Sequence, residues 1–315
     1  MSGRVFLITG GGGFVGANLC RRLVENGEEV HLFLRNTTVP WRLADLLDRV
    51  RVHEVDLREA ERVESAVEEI RPTIIYHLAT HGAYPEQTDG DRILLTNVFG
   101  FWNLVQACQR QGFELFVNTG SSSEYGRKAF AMRETDILEP DSYYAVAKAA
   151  QSLLSRHCSQ ASGLPIVTLR LFSVYGPYEE PTRLIPKLMM AALGDQPIDM
   201  VAPEIARDFI YVDDVVDTYL DIEHLKTLHG EILNVGTGVQ SSLHDVVHTM
   251  NALCEAPLDV RWGNMESRPW DSDVWVGDIS KAKRLTGCAP RTTLREGLAR
   301  SLAWYRAHQE MYDGA

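Results

Sequence analysis

Val5-Phe6-Leu7-Ile8-Thr9-Gly10-Gly11-Gly12-Gly13-Phe14-Val15-Gly16 is the stretch that decides how this chain is read. Its continuous apolar run belongs to a strand buried on both faces, as in a parallel sheet. Val15, Leu19 and Leu23 then recur at helical spacing. Gly10, Gly13 and Gly16, each three residues apart, stand at the junction. Glycines there permit a tight turn, close approach of the backbone to a ligand and close packing of helix on strand. The free N–H groups and dipole at the helix start favour an anion, and a strand–turn–helix of this form implies a dinucleotide pyrophosphate site.

The same alternation continues outward. Val30 to Leu34, Val52 to Val55, Thr73 to Leu78, Phe113 to Val117 and Ile166 to Phe172 read as strands. Val63, Ala66, Val67 and Ile70 mark one face of a helix that ends before Pro72, and a second helix spans about Asp91 to Gln111. Such βαβ alternation gives a parallel sheet with helices on both faces. The second half is less regular, with Pro177, Pro181 and Pro186 after a strand, strand character at Phe209 to Val212, and helices near Val215, Leu243 and from Leu294 to His308. The expected fold is α/β, a Rossmann-type doubly wound parallel sheet with a smaller mixed α/β C-terminal lobe for substrate. Residues 1–172 form the dinucleotide-binding domain with a return segment near 207–235, and 173–206 and 236–315 form the lobe.

Composition narrows the functional classes. The 315 residues are 45% hydrophobic and 23% charged, close to the soluble globular average. Thirty-one basic against 43 acidic residues leave a net charge of −12, unsuited to coating a nucleic acid. Cys20, Cys108, Cys158, Cys254 and Cys288 form neither a CxxC pair nor a metal-ligand spacing. Reduced thiols, no apolar run of membrane-spanning length and no signal-peptide pattern at the N-terminus give the expectation of a cytoplasmic protein without metal or membrane partner.

Tyr144-Ala145-Val146-Ala147-Lys148 places a phenol and an ammonium four residues apart on one helix face. A neighbouring cation favours phenolate, so Lys148 is expected to draw the Tyr144 pKa down toward working pH.

Together these motifs resemble the extended short-chain dehydrogenase/reductase family, in its nucleotide-sugar epimerase, dehydratase and reductase branch. The likeness covers nearly the whole chain. GGGGFVG (10–16) is similar to the family's GxxGxxG and YAVAK (144–148) to its YxxxK. Asp56-Leu57, His77-Leu78-Ala79, Asn97 and Arg207-Asp208-Phe209-Ile210 match further family positions. The resemblance implies that Ser121, Tyr144 and Lys148 are catalytic, with Ser121 bonding the reacting oxygen. It implies a cofactor cradle of Gly10, Gly13, Phe14, Val15 and Gly16, then Arg35, Asn36, Asp56 and Leu57. Leu78, Ala79, Thr80, Asn97, Tyr144, Lys148 and Leu171 complete it. Substrate would meet His81, Ser122, Ser173 (where relatives carry Asn), Arg183, Arg207 and Arg268, the last within Arg268-Pro-Trp-Asp271.

Departures from the family refine the expectation. Dehydratases place an acid pair just after the catalytic hydroxyl, where this chain has Ser122 and Ser123, and Glu124 is out of register. The loop also lacks the Cys of carbon-acid epimerases. At the end of the second strand, NAD-preferring relatives put an acid where Leu34 stands, and Arg35 follows, suited to a 2′-phosphate. The leading expectation is therefore NADPH-dependent reduction of a nucleotide-linked keto-sugar at C4, with NADP(H) favoured over NAD(H). The alternative is a nucleotide-sugar 4-epimerase holding NAD, and a third reading is a non-catalytic dinucleotide sensor. The substrate partner is a nucleotide-diphosphate sugar. A homodimer through a four-helix bundle is also implied, with Leu104, Val105 and Cys108 facing Leu153, Leu154 and His157 across it.

Overall fold

Side chains alternate faces along each strand of the computed structural model, and that alternation builds two cores on one sheet. The structure describes residues 3–35, 41–84, 86–194, 196–266, 271–287 and 289–312. Strands β1 (Val5–Thr9), β2 (Glu29–Leu34), β3 (Arg51–Glu54), β4 (Ile74–His77), β5 (Leu115–Ser121) and β6 (Ile166–Leu171) join the edge strand Ile232–Val235 in a seven-stranded sheet. All its pairings are parallel, in the order β3-β2-β1-β4-β5-β6 and then the edge strand. Phe6, Ile8, Tyr76, Val117 and Leu169 face helix α1 (Phe14–Glu25) and the helix Val212–Leu220. Leu7, Ile75, Phe116 and Ile166 face α2 (Ala60–Ile70) and α4 (Gly100–Gln111) on the other side. The expected doubly wound sheet is therefore present, its chain reversing direction of travel beside β1, which lies between β2 and β4. A cleft opens at such a switch point, beyond the carboxyl ends of the strands.

The helix expected from Asp91 to Gln111 runs from Gly90, but not uniformly. Its first part, α3 (Gly90–Leu94), passes into a π-helical turn, Leu95–Phe99, before α4. Asp89 caps its start by accepting from the Arg92 N–H at 3.1 Å. β5 starts later and ends later than expected, running to Ser121 because it pairs in register with β6 as far as Leu171. Helix α5 (Tyr143–Ser162) is capped by Ser142 and carries Tyr144 and Lys148 one turn apart.

A third core is built from Tyr175, Leu188, Met200, Val246, Met250, Leu298 and Tyr305. The helices Leu184–Gly194, Leu243–Asn251 and Leu294–Ala307 pack there beside short parallel and antiparallel strand pairs. Ser242 with Asp245, and Thr293 with Glu296, form reciprocal capping boxes that start the last two helices. This is the mixed α/β lobe, and it leans over the carboxyl end of the sheet where the candidate site lies.

Candidate active site

The glycine turn shows why no larger residue fits. Gly10 has φ +74°, and a Cβ there would sit 2.5 Å from Ala79 N. A Cβ on Gly16 would sit 2.3 Å from Gly10 O. Both are closer than real contacts allow, so β1, the end of β4 and α1 meet only through glycine. Gly13 caps α1 without a side-chain bond, and the first turn carries no acid, which leaves its N–H groups open to an anion. Thr80 Oγ1 is buried without a partner in the protein. An open helix start, a glycine-lined wall and an orphaned hydroxyl together fit a dinucleotide. Phe14, Val15, Leu78 and Ala79 are partly buried around that turn.

Just past the ends of β2 and β3 stand Arg35 and Asp56. Arg35 is exposed. Asp56 is held by Arg58 at 2.6 Å, and that bond, with Arg35 nearby, keeps its carboxyl below the usual range. Leu57 is buried against Gly100. Asn36 and Arg268 lie outside the described residues.

Asn97 sits within the π-helical turn and is fully buried. Its side chain clasps the backbone of His81, donating to His81 O and accepting from His81 N, each at 2.8 Å. Its own carbonyl accepts from Gln151 Nε2 at 3.2 Å. Gln151 Oε1 in turn accepts from Lys148 Nζ at 3.1 Å, while Thr119 O accepts from it at 2.9 Å. The turn thus ties the loop after β4 to α5, the helix of Tyr144 and Lys148. Burial of Lys148 pulls its ammonium down to about 8, a shift that Glu124 opposes.

Ser121 ends β5, and its hydroxyl lies 2.8 Å from Ser123 Oγ and close enough to Tyr144 to lower the phenol's pKa. The three expected catalytic residues therefore come together. The expected lowering of the Tyr144 pKa does not occur. Burial raises it, Ser121 and Arg183 offset part of that rise, and Glu124 and Tyr84 add to it. The physical reason is that the Lys148 ammonium is turned to Thr119 and Gln151 rather than to the phenol.

On the lobe side, Arg183 donates to Ala83 O at 2.8 Å and lies over the Tyr84 ring, within electrostatic reach of Tyr144. Arg207 pairs with Asp271 at 3.0 Å and lies 5.4 Å over the Trp275 ring. Ser173 opens the short strand Ser173–Tyr175 and pairs with Phe209, two residues beyond Arg207. Leu171 lies opposite Ser121 in the sheet register. His81 is buried, and burial and surrounding arginines hold its pKa below the ordinary value. Ser122 is buried, and its hydroxyl accepts from Trp275 Nε1 at 3.0 Å. Sequence reasoning missed Trp275, Gln151 and Arg170, whose partners are remote or lie on the inner face of α5. The dimer face also needs correction. Leu104, Val105 and Cys108 are 0–1% exposed in the chain's own core.

The glycine cradle, the Ser–Tyr–Lys cluster and the parallel sheet define a nucleotide-binding oxidoreductase-type enzyme. Residues 6–236 match the model of the NAD dependent epimerase/dehydratase family, and the chain belongs to that family. It is 29% identical over 314 residues to an uncharacterized UDP-glucose epimerase, YtcB, of Bacillus subtilis, covering 95% of this chain and 96% of the relative. It is 27% identical to a UDP-glucuronate 4-epimerase of Thermodesulfobacterium geofontis, covering 97% of each. Among solved structures, MoeE5 in complex with UDP-glucose and NAD superposes with a TM-score of 0.85 at 30% identity, covering 97% of this chain and 99% of MoeE5.

Proposed function

We propose that this enzyme is a 4-epimerase of a UDP-linked hexose, with NAD retained through the cycle. The observation that carries this reading is that Ser122 and Ser123 follow Ser121, where an enzyme that eliminates water would carry an acid. Ser122 is engaged by Trp275, and Glu124 is closed in a fully buried pair with Arg170. Elimination of water needs such an acid, whereas oxidation and re-reduction of one carbinol do not. The similarity to a UDP-glucuronate 4-epimerase and to MoeE5 with UDP-glucose and NAD supports the same reading over net reduction by NADPH.

In this scheme a bound nicotinamide dinucleotide supplies the hydride acceptor and donor. Tyr144 Oη takes the proton of the sugar O4 and later returns it, and the Ser121 hydroxyl bonds the same oxygen as charge develops. Lys148, anchored by Thr119 and Gln151, keeps a positive charge beneath the site. Arg207 meets the diphosphate, with Arg183 nearer the sugar. His81 and Ser173 line the sugar pocket in this scheme. Residues 1–172 with 207–235 form the cofactor domain, and the remaining segments the lobe.

A homodimer accompanies this reading, through the same two helices and Leu153 as expected, but with exposed residues in place of Leu104, Val105 and Cys108. Leu95, Phe99 and Trp102 form an exposed stripe on the helix 90–111, and Val146 and Leu153 form another on α5. An exposed apolar area spread over two adjoining helices fits a second copy of the chain.

The deciding experiment incubates purified protein with UDP-glucose and no added cofactor, and assays the C4 epimer by chromatography. Epimer without net consumption of reductant is expected. Consumption of NADPH with a 4-keto sugar, and no epimer from UDP-glucose, would return the assignment to a reductase.

A further inference from the structure

We infer that the buried pair Glu124–Arg170 is a positioning device that holds Ser121 in its catalytic place, an inference that rests on the reading of Ser121, Tyr144 and Lys148 as the reacting set. Glu124 Oε1 accepts the Ser121 backbone N–H at 2.8 Å, and Oε2 accepts Arg170 Nε–H at 2.7 Å. The side chains of Arg170 and Glu124 are only 2% and 0% exposed. The Arg170 guanidinium lies 4.7 Å over the Tyr125 ring, and the Tyr125 hydroxyl donates to Asn234 Oδ1 at 2.7 Å. Asn234 in turn donates to Met132 O at 2.9 Å. The catalytic loop is thus tied through β6 to the edge strand of the sheet.

The backbone makes room for this arrangement. A Cβ on Gly120 would lie 2.6 Å from Glu124 Oε1 and 3.0 Å from Arg170 Cγ. A glycine just before the catalytic serine therefore serves the pair and not the loop itself. Buried ion pairs are poor stabilising devices, since apolar pairs of similar volume often do as well. What an apolar pair would not do is accept the Ser121 N–H or place a negative charge here. Arg170 from β6, Ser121 from β5, Tyr125 beside it, and Tyr144 and Lys148 from α5 surround that charge. Glu124 raises the pKa of both Tyr144 and Lys148.

The test compares wild type, Glu124→Gln, Glu124→Asp and the double variant Glu124→Gln with Arg170→Met. Each is read by urea denaturation, by ultraviolet titration of the Tyr144 phenolate against Tyr144→Phe, and by kcat and KM for UDP-glucose epimerisation. The single Gln variant should lose stability, because it leaves Arg170 buried and unpaired, and the double variant should regain it. The double variant should keep KM but lose kcat on the order of tenfold or more, as expected of a misplaced reacting group. Its Tyr144 titration should move, because the Glu124 charge that raises it and the Ser121 contact that lowers it both change. Glu124→Asp keeps the charge but withdraws from Ser121, so it should lower kcat. A double variant with wild-type kcat, or an unmoved Tyr144 titration in it, would overturn the inference. If wild type itself makes no epimer, the functional assignment fails, while the phenolate titration still judges the pair.

Discussion

The indole N–H of Trp275 donates to the Ser122 hydroxyl at 3.0 Å, joining the C-terminal part of the chain to the turn after β5 across 153 residues of chain. Both residues are buried, and the face of the same indole lies under Arg207. Trp275→Phe leaves Ser122 Oγ without its partner and also empties part of the indole's place in the core. It should therefore cost about 1–3 kcal/mol of stability. Urea denaturation of the two proteins measures it. Equal midpoints would mean that water replaces the indole without loss.

Tyr144→Phe should abolish most turnover, by about 10²–10⁴-fold, because the proton carrier at the reacting oxygen is gone. The ring that packs against Ser121 stays, so dinucleotide binding should be preserved. Steady-state assay together with quantitation of bound nucleotide checks both halves. Turnover close to wild type would remove Tyr144 from the mechanism.

Much of this was legible because it is local. Gly10, Gly13 and Gly16, and Tyr144 with Lys148, are contiguous patterns whose spacing already implies their geometry. The strands announced themselves through continuous apolar runs. What escaped the sequence joins distant segments: Glu124 with Arg170, Ser122 with Trp275, Lys148 with Thr119. The orientation of the helix 90–111 escaped for another reason. Apolar residues lie on two of its faces, and the π-helical turn Leu95–Phe99 shifts the phase between its halves. Periodicity names the apolar residues but does not say which face meets the sheet.

His77 is fully buried, its Nδ1 lies 2.8 Å from Thr9 Oγ1, and burial drives its pKa down to about 3. The unfolded chain takes up a proton there near the ordinary histidine value of about 6.5, while the folded chain does not. Unfolding therefore binds the extra proton between those two values, and stability falls as pH drops from 6.5 toward 3. The contribution approaches 1.4 kcal/mol per pH unit inside that window. In His77→Gln the slope of unfolding free energy against pH should be shallower there by about that amount. Identical slopes would show that His77 is protonated in the folded protein.

Phe99, 56% exposed, and Leu153, also 56% exposed, lie on the two adjoining helices of the proposed dimer face. Placing a charge on each would bury like charges against a second copy. Phe99→Glu with Leu153→Glu should give a monomer in sedimentation velocity, where wild type sediments as a dimer. The fold should survive, because neither side chain belongs to a core. A wild-type monomer at micromolar concentration would set the face aside.

The choice between NAD and NADP turns on Arg35 and Asp56 at the ends of neighbouring strands. Arg35 alone would attract a 2′-phosphate, which is what the sequence led one to expect. In the structure Asp56 lies within its electrostatic reach and is also held by Arg58. The Asp56 carboxylate, just past the end of β3, places a negative charge near Arg35 that opposes a phosphate there. Wild type should therefore bind NADH more tightly than NADPH. Asp56→Asn removes the repelling charge and leaves both arginines, so the ratio of the two dissociation constants should shift toward NADPH by about tenfold, or 1.4 kcal/mol. Arg35→Ala should shift it the other way. Fluorescence titration of each reduced cofactor gives the ratios without turnover. A wild-type preference for NADPH that Arg35→Ala abolishes would show that Arg35 selects the phosphate after all, and would favour a reductant that exchanges freely over one held through an epimerase cycle.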